Sequence, residues 1–179
     1  MTIIEDGQTG QVGQVNVNNQ LEVRSEAVDS SSIVATRDER YFIWQSDYTA
    51  TANDYILYIK NDDPDRVLKI RKIYMYSAAT PVTFEIHRVD TGTAAGTTVT
   101  PENLAFGSSR TSLDTAFGNA AVSGITASTM MFSYTKTGGE HYLDANGAVV
   151  ILPGAAMAIT VSEDGVIKTY VAGYFTRRT

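Results

Sequence analysis

Two histidines, a cluster of three aspartates and a serine-bearing glycine loop are the residues of this chain with obvious potential for catalysis or metal binding. His87 falls on one phase of the alternating run Val82-Thr-Phe-Glu-Ile-His-Arg88, and His141 sits in the polar segment Gly138-Gly-Glu-His-Tyr142. Neither has a second ligand at metal-binding spacing, so both read as surface or hydrogen-bonded side chains. Asp62-Asp63-Pro64-Asp65 gathers the oxygen ligands that calcium prefers, but its spacing is not that of a calcium-binding loop. It reads as a solvated acidic turn. Gly107-Ser-Ser109 is not the Gly-x-Ser-x-Gly elbow of a serine nucleophile, and the chain contains no Gly-x-x-x-x-Gly-Lys-Ser/Thr phosphate cradle. No metal and no cofactor are expected.

Asp90-Thr91-Gly92-Thr93 is similar to the catalytic loop of aspartic proteases. Those enzymes need two carboxylates close enough to share one proton, so a single copy works only across a dimer. Local chemistry explains the triplet more simply, because Asp and Thr cap turn backbone and Gly supplies positive φ. The chain reads as a non-enzyme with no catalytic residue.

Short strands must position whatever the chain binds. Ser32–Thr36, Arg40–Gln45, Asp54–Lys60, Arg66–Tyr76, Val82–Val89, Thr129–Lys136, Ala148–Leu152, Ala156–Ser162 and Ile167–Phe175 are rich in β-branched and aromatic residues. Asn61–Asp65, Asn146-Gly147, Pro153-Gly154 and Asp164-Gly165 separate them as turns, with Asn-Gly a hairpin signal. In Val82–Arg88, Val82, Phe84 and Ile86 point inward and Thr83, Glu85 and His87 to the other face. The alternation slips at Arg71-Lys72, which predicts a β-bulge or a change of sheet. Between Thr91 and Ser128 the pattern dissolves into Gly, Thr, Ala and Ser, which predicts a long crossover with a helical turn or two near Ser112–Phe117.

Ahead of this body, Val15 and Val17 and then Leu21 and Val23 alternate around Asn18-Asn19, the pattern of a small hairpin. Residues 1–25 are therefore expected to form an arm and residues 26–179 the body. An isolated two-stranded ribbon is marginal in water, so its apolar face has to dock on something. Ile3, Ile4, Val12, Val15, Val17, Leu21 and Val23 in the arm, with Phe106 and Phe117 in the long loop, are the expected docking residues.

Composition narrows the partners. The chain has 179 residues, 43% hydrophobic, one domain's worth, and no cysteine, which excludes disulfides and thiolate metal sites. A net charge of −6 repels phosphate backbones and anionic lipid, so nucleic acid is not an expected partner despite the local cluster Arg66, Lys69, Arg71, Lys72. The longest apolar run, Ala148–Pro153, is too short for a membrane helix, and residues 1–25 lack the pattern of a signal peptide, so no membrane association is expected. Tyrosine stands out, with 10 copies against one tryptophan and a concentration between Tyr41 and Tyr76. Most of these read as core, with Tyr48 the exposed exception.

Four segments carry a resemblance. Thr2-Ile-Ile-Glu-Asp-Gly7 and Val15-Asn-Val-Asn-Asn-Gln-Leu-Glu-Val-Arg24 resemble the start of small virion structural proteins of tailed bacteriophages. Thr100-Pro-Glu-Asn-Leu-Ala-Phe-Gly-Ser-Ser109, with Ala105 where a second Asn would stand, and Ile151–Val161 are similar to later segments of those proteins. The resemblance implies an all-β, antiparallel jelly-roll-like sandwich that decorates or cements a capsid, on the capsid surface of a virion assembled in the host cytoplasm. Its expected partner is the major capsid protein or another virion protein, and a homotrimer would multiply weak contacts. The alternative is a neck, tail or fibre module that binds host glycan through the tyrosine-rich strands.

Overall fold

The structure, a computed structural model, describes residues 3–5, 12–15, 21–24, 40–79, 81–137 and 139–177, the first three segments as backbone. It divides into two units, Met1–Ile33 and Val34–Thr179. In the first, β1 (Ile3–Glu5), β2 (Val12–Val15) and β3 (Leu21–Arg24) form a three-stranded antiparallel sheet in the order β1-β2-β3. Val15 pairs with Leu21 across the expected hairpin, and β1 adds a third strand that residue patterning did not suggest. Val17 and the expected strand at 32–36 lie outside the described residues.

The second unit is a β-sandwich of nine strands: β4 (Tyr41–Ala50), β5 (Tyr55–Asn61), β6 (Arg66–Ser77), β7 (Val82–Ala95), β8 (Glu102–Asn103), β9 (Asp114–Lys136), β10 (Gly139–Ile151), β11 (Ala156–Val161) and β12 (Gly165–Arg177). One sheet runs β10-β6-β12-β4-β8, and in the other β11, β5, β9 and β7 close on themselves as a small barrel. Pairing among the eight long strands is nested and antiparallel: β4 with β12, β5 with β11, β6 with β10 and β7 with β9.

The core between the sheets is built from alternating positions. Phe42, Trp44 and Ser46 point inward from β4, and Val82, Phe84 and Ile86 from β7, as their alternation requires. Trp44, Phe42, Phe84, Ile59, Ile70, Ile73 and Ile159 are almost wholly buried, each contributing about 1.5–3 kcal/mol. The Trp44 indole donates to Asp114 Oδ2 at 2.7 Å, so the one polar atom of that ring is satisfied.

All six residues of β11 are buried, because the strand has a core on each side. Met157, Ile159 and Val161 join the main core, while Ala156 and Ala158 face a second cluster inside the barrel with Tyr58 and Val122. That second cluster corrects the reading of β7. On its other face His87 is covered rather than wet, since β9 curls from β5 across to β7 and closes the barrel over it, while Glu85 on the same face keeps contact with solvent.

Two further expectations are corrected, and one of two alternatives is selected at Arg71-Lys72. No helix occurs among the described residues near 112–117; β7 continues to Ala95 and β9 begins at Asp114, so the long loop is mostly a ribbon of paired strand. Small residues obscured it because they are there for close approach: a Cβ on Gly118 would lie 2.9 Å from Ser46 Cβ, where Asn119 N donates to Ser46 Oγ at 2.7 Å. Asn146-Gly147 is not a hairpin turn but a bulge within β10, with φ of 45° and 77° where the register shifts between Asp144 and Val149. The slip at Arg71-Lys72 is a bulge as well: Lys72 pairs with Ala172 and Ile70 with Gly173, leaving Arg71 as the extra residue.

Candidate interaction surface

Among the described residues, β9 from Ser123 onward pairs with β7 alone, its partnership with β5 having ended at Val122, and β10 is likewise the outer strand of its sheet, paired only with β6. The two strands follow one another in sequence but belong to opposite sheets, so on this side of the sandwich two free edges face outward with a cleft between them.

Side-chain phase makes that cleft apolar. Tyr134 pairs with Phe84 and Phe132 with Ile86, so both sit on the core-facing phase, yet no further strand covers them and they stay about half exposed. A register shift between Ile86 and His87 makes Met131 an extra, bulged residue, which turns it outward as well. Opposite lie Val150 and Leu152, while Tyr142, 71% exposed, is on the outward face of β10 with its ring 5.0 Å from that of Tyr74. A cavity of about 320 Å3 between Met131, Phe132, Val150, Leu152 and Met157 continues the depression, with a smaller one of about 100 Å3 near Phe132, Tyr134, Tyr142 and His141.

His141 lies beneath this surface. Expected in a polar turn, it is instead a buried residue of β10, its ring 4.6 Å from that of Tyr134 and 6.4 Å from Phe84. Its Nε2 has no hydrogen-bond partner. Burial, with a smaller contribution from the Lys136 charge, lowers its pKa and holds the imidazole neutral.

The edge is also uncharged: Ser123 through Thr135 contains no Asp, Glu, Lys or Arg. Exposed edge strands ordinarily carry charges, proline or a covering loop against unwanted pairing. Over this span β9 has bulges but neither charge nor proline, and it leaves Met131, Phe132 and Tyr134 about half exposed.

The other residues with chemistry are occupied locally. Glu85 Oε2 and Ser128 Oγ each lie 3.0 Å from a ring nitrogen of His87, and Tyr55 Oη is 2.8 Å from Ser128 Oγ. His87 also lines the cavity near Met131 and Met157, whereas Ser128 is not among that cavity's lining residues. Asp63 is buried rather than solvated, accepting from Arg66 at 2.9 Å and from the Asp65 backbone, while Asp62 pairs with Lys60 at 2.6 Å. No group of three potential metal ligands occurs among the described residues.

Of the docking residues expected from sequence, Ile3, Ile4, Val12, Val15, Leu21 and Val23 are brought together in the β1-β2-β3 sheet. Phe106 is 97% exposed in the loop after β8. Phe117 stands apart from it, half-buried in the barrel and stacked on Tyr58 at 5.9 Å. Tyr48 is not the exposed tyrosine; it packs against the main core, and burial raises its pKa. Sequence reasoning missed Met131, Phe132, Tyr134, Tyr142, Val150 and Leu152. The signal was present in Met130-Met-Phe132, three large apolar residues in succession where a half-buried strand should alternate.

Comparison with family models, with curated proteins and with solved structures finds no match to this chain.

Proposed function

We propose that this chain is a capsid decoration, or cement, protein of a tailed bacteriophage, acting as a homotrimer on the capsid surface. The observation that carries the reading is the uncharged edge of β9 from Ser123 to Thr135, with Met131, Phe132 and Tyr134 about half exposed on it. Interfaces held permanently between like subunits are the more apolar class, and such a surface suits contact with sister copies. A three-fold ring is heterologous, so the β9 side of one copy meets the β10 side of the next.

The nested pairing of eight long strands, first with last and fourth with fifth, supports a jelly-roll form of the sandwich. The arm residues Ile3, Ile4, Val12, Val15, Val17, Leu21 and Val23 supply the contact with the major capsid protein. Binding the assembled shell but not its free subunits stabilises the shell by mass action, without catalysis, cofactor or nucleic acid.

The test pairs light scattering with cosedimentation on heads assembled without the protein. The parent protein is expected to have a trimer's mass and to pellet with the heads. A Met131→Lys variant, changed at the exposed bulge, is expected to melt within about 2 °C of the parent, since surface changes move stability by ~0.5 kcal/mol or less, yet to run as a monomer and pellet poorly. A parent that is monomeric at micromolar concentration and fails to pellet overturns the proposal.

A further inference from the structure

A half-open cavity of about 300 Å3 lies at a mouth of the barrel, far in character from the apolar edge. Phe117 forms its floor, backed by Tyr58 with the rings nearly parallel at 26°, and Ala94 and Ala156 lie beside them. Phe117 is the more open of the two rings, Tyr58 being only 6% exposed. The rim is polar and supplied by Lys60, Asp90, Thr91, Thr93 and Thr115.

Every charge on that rim is already matched. Lys60 Nζ lies 2.6 Å from Asp62, which also accepts from the Thr115 hydroxyl at 2.6 Å. Asp90 accepts from Arg88 Nε at 2.8 Å and from the Thr129 hydroxyl at 2.6 Å. An anion or cation entering the cavity therefore meets no unmatched counter-charge, and an apolar ligand would strip water from the rim without compensation. Paired carboxylates keep spare lone pairs, the ammonium keeps spare hydrogens, and threonine hydroxyls serve as donor or acceptor. The pairs also hold the rim side chains in place before a ligand arrives.

We infer that the barrel mouth binds a neutral saccharide, one ring laid with its C–H face toward Phe117 and Tyr58 and its hydroxyls on Lys60, Asp90, Thr93 and Thr115. A sugar ring needs this combination, an apolar face over an aromatic floor and polar groups around its edge, and barrel mouths are recurrent ligand sites of this size. The site is independent of Tyr48 and of the proposed role on a capsid.

Saturation-transfer NMR on the intact protein tests it, with lactose, maltose, cellobiose and chitobiose as probes and inorganic phosphate as the anionic competitor. At least one disaccharide is expected to receive saturation on its ring protons. Thr93→Val, at an exposed position, and Phe117→Leu, which keeps the barrel filled, are each expected to weaken that binding about 5-fold or more, the size of one lost polar or stacking contact. No saturation of any of the four sugars, binding unchanged by both variants, or displacement of the sugar by phosphate overturns the inference.

Discussion

A single buried residue, His141, makes folding stability depend on pH. Its ordinary value is about 6.5, and burial holds the folded-state value lower, so the unfolded chain takes up the proton first as the medium is acidified. The neutral ring's contribution is therefore complete above about pH 6.5 and is lost as pH falls from there through the lowered folded value. Thermal melts at about pH 7.5, 6.5 and 5.5 are expected to show declining stability over the last interval, and a His141→Phe variant a shallower decline. Equal slopes would show that other groups govern the acid side. Residue identity announced little of this, because a histidine among Gly, Glu and Tyr reads as a turn until the Phe84 and Tyr134 rings are seen on either side of it.

At the scale of elements, the β7–β9 ribbon decides the shape of the second sheet, and glycine is what lets it bend. Gly92 and Gly124 face one another with φ of 119° and 78°. A Cβ on Gly124 would stand 2.1 Å from the Thr93 carbonyl oxygen, and one on Gly92 2.3 Å from that of Gly124. Gly124→Ala is thus expected to cost about 1–3 kcal/mol from backbone strain alone, with the collision adding to it. For a chain of this size that lowers the melting temperature by at least several degrees, roughly 2–4 °C per kcal/mol, as differential scanning fluorimetry would record. The control is Gly154→Ala, also at positive φ but with open space around the added Cβ, expected to cost less. The same ribbon explains why the sequence between 91 and 128 looked structureless: its residues are small because backbones pass close together, and its pairing is long-range.

For the whole molecule, the division at Ile33/Val34 predicts separable behaviour. Deleting residues 2–24 is expected to leave a body whose circular dichroism and melting match the parent, because residues 34–179 form a compact unit of their own. Cosedimentation with heads is expected to fall sharply, since the proposed capsid contact goes with the arm while the β9–β10 edge remains. Loss of the β signal on truncation would show the arm to be integral to the sandwich. The net charge of −6 adds a salt prediction of its own sign: self-repulsion between copies is screened by salt, so trimerisation through an uncharged apolar edge should hold or strengthen between low and moderate ionic strength.

Sequence alone determined the all-β class, the inward phase of Val82, Phe84 and Ile86, an irregularity at Arg71-Lys72 and the hairpin joining Val15 to Leu21, since each follows from residue alternation or turn chemistry within a few positions. Only the tertiary structure decided which outward faces were covered. His87 and Phe117 lie inside the barrel because β9 spans from β5 to β7, whereas Phe132 and Tyr134, on a core-facing phase, stay half exposed because no strand follows them at the edge. Alternation reports which side of a strand a residue is on; what lies over that side depends on partners far along the chain, and no local pattern encodes it.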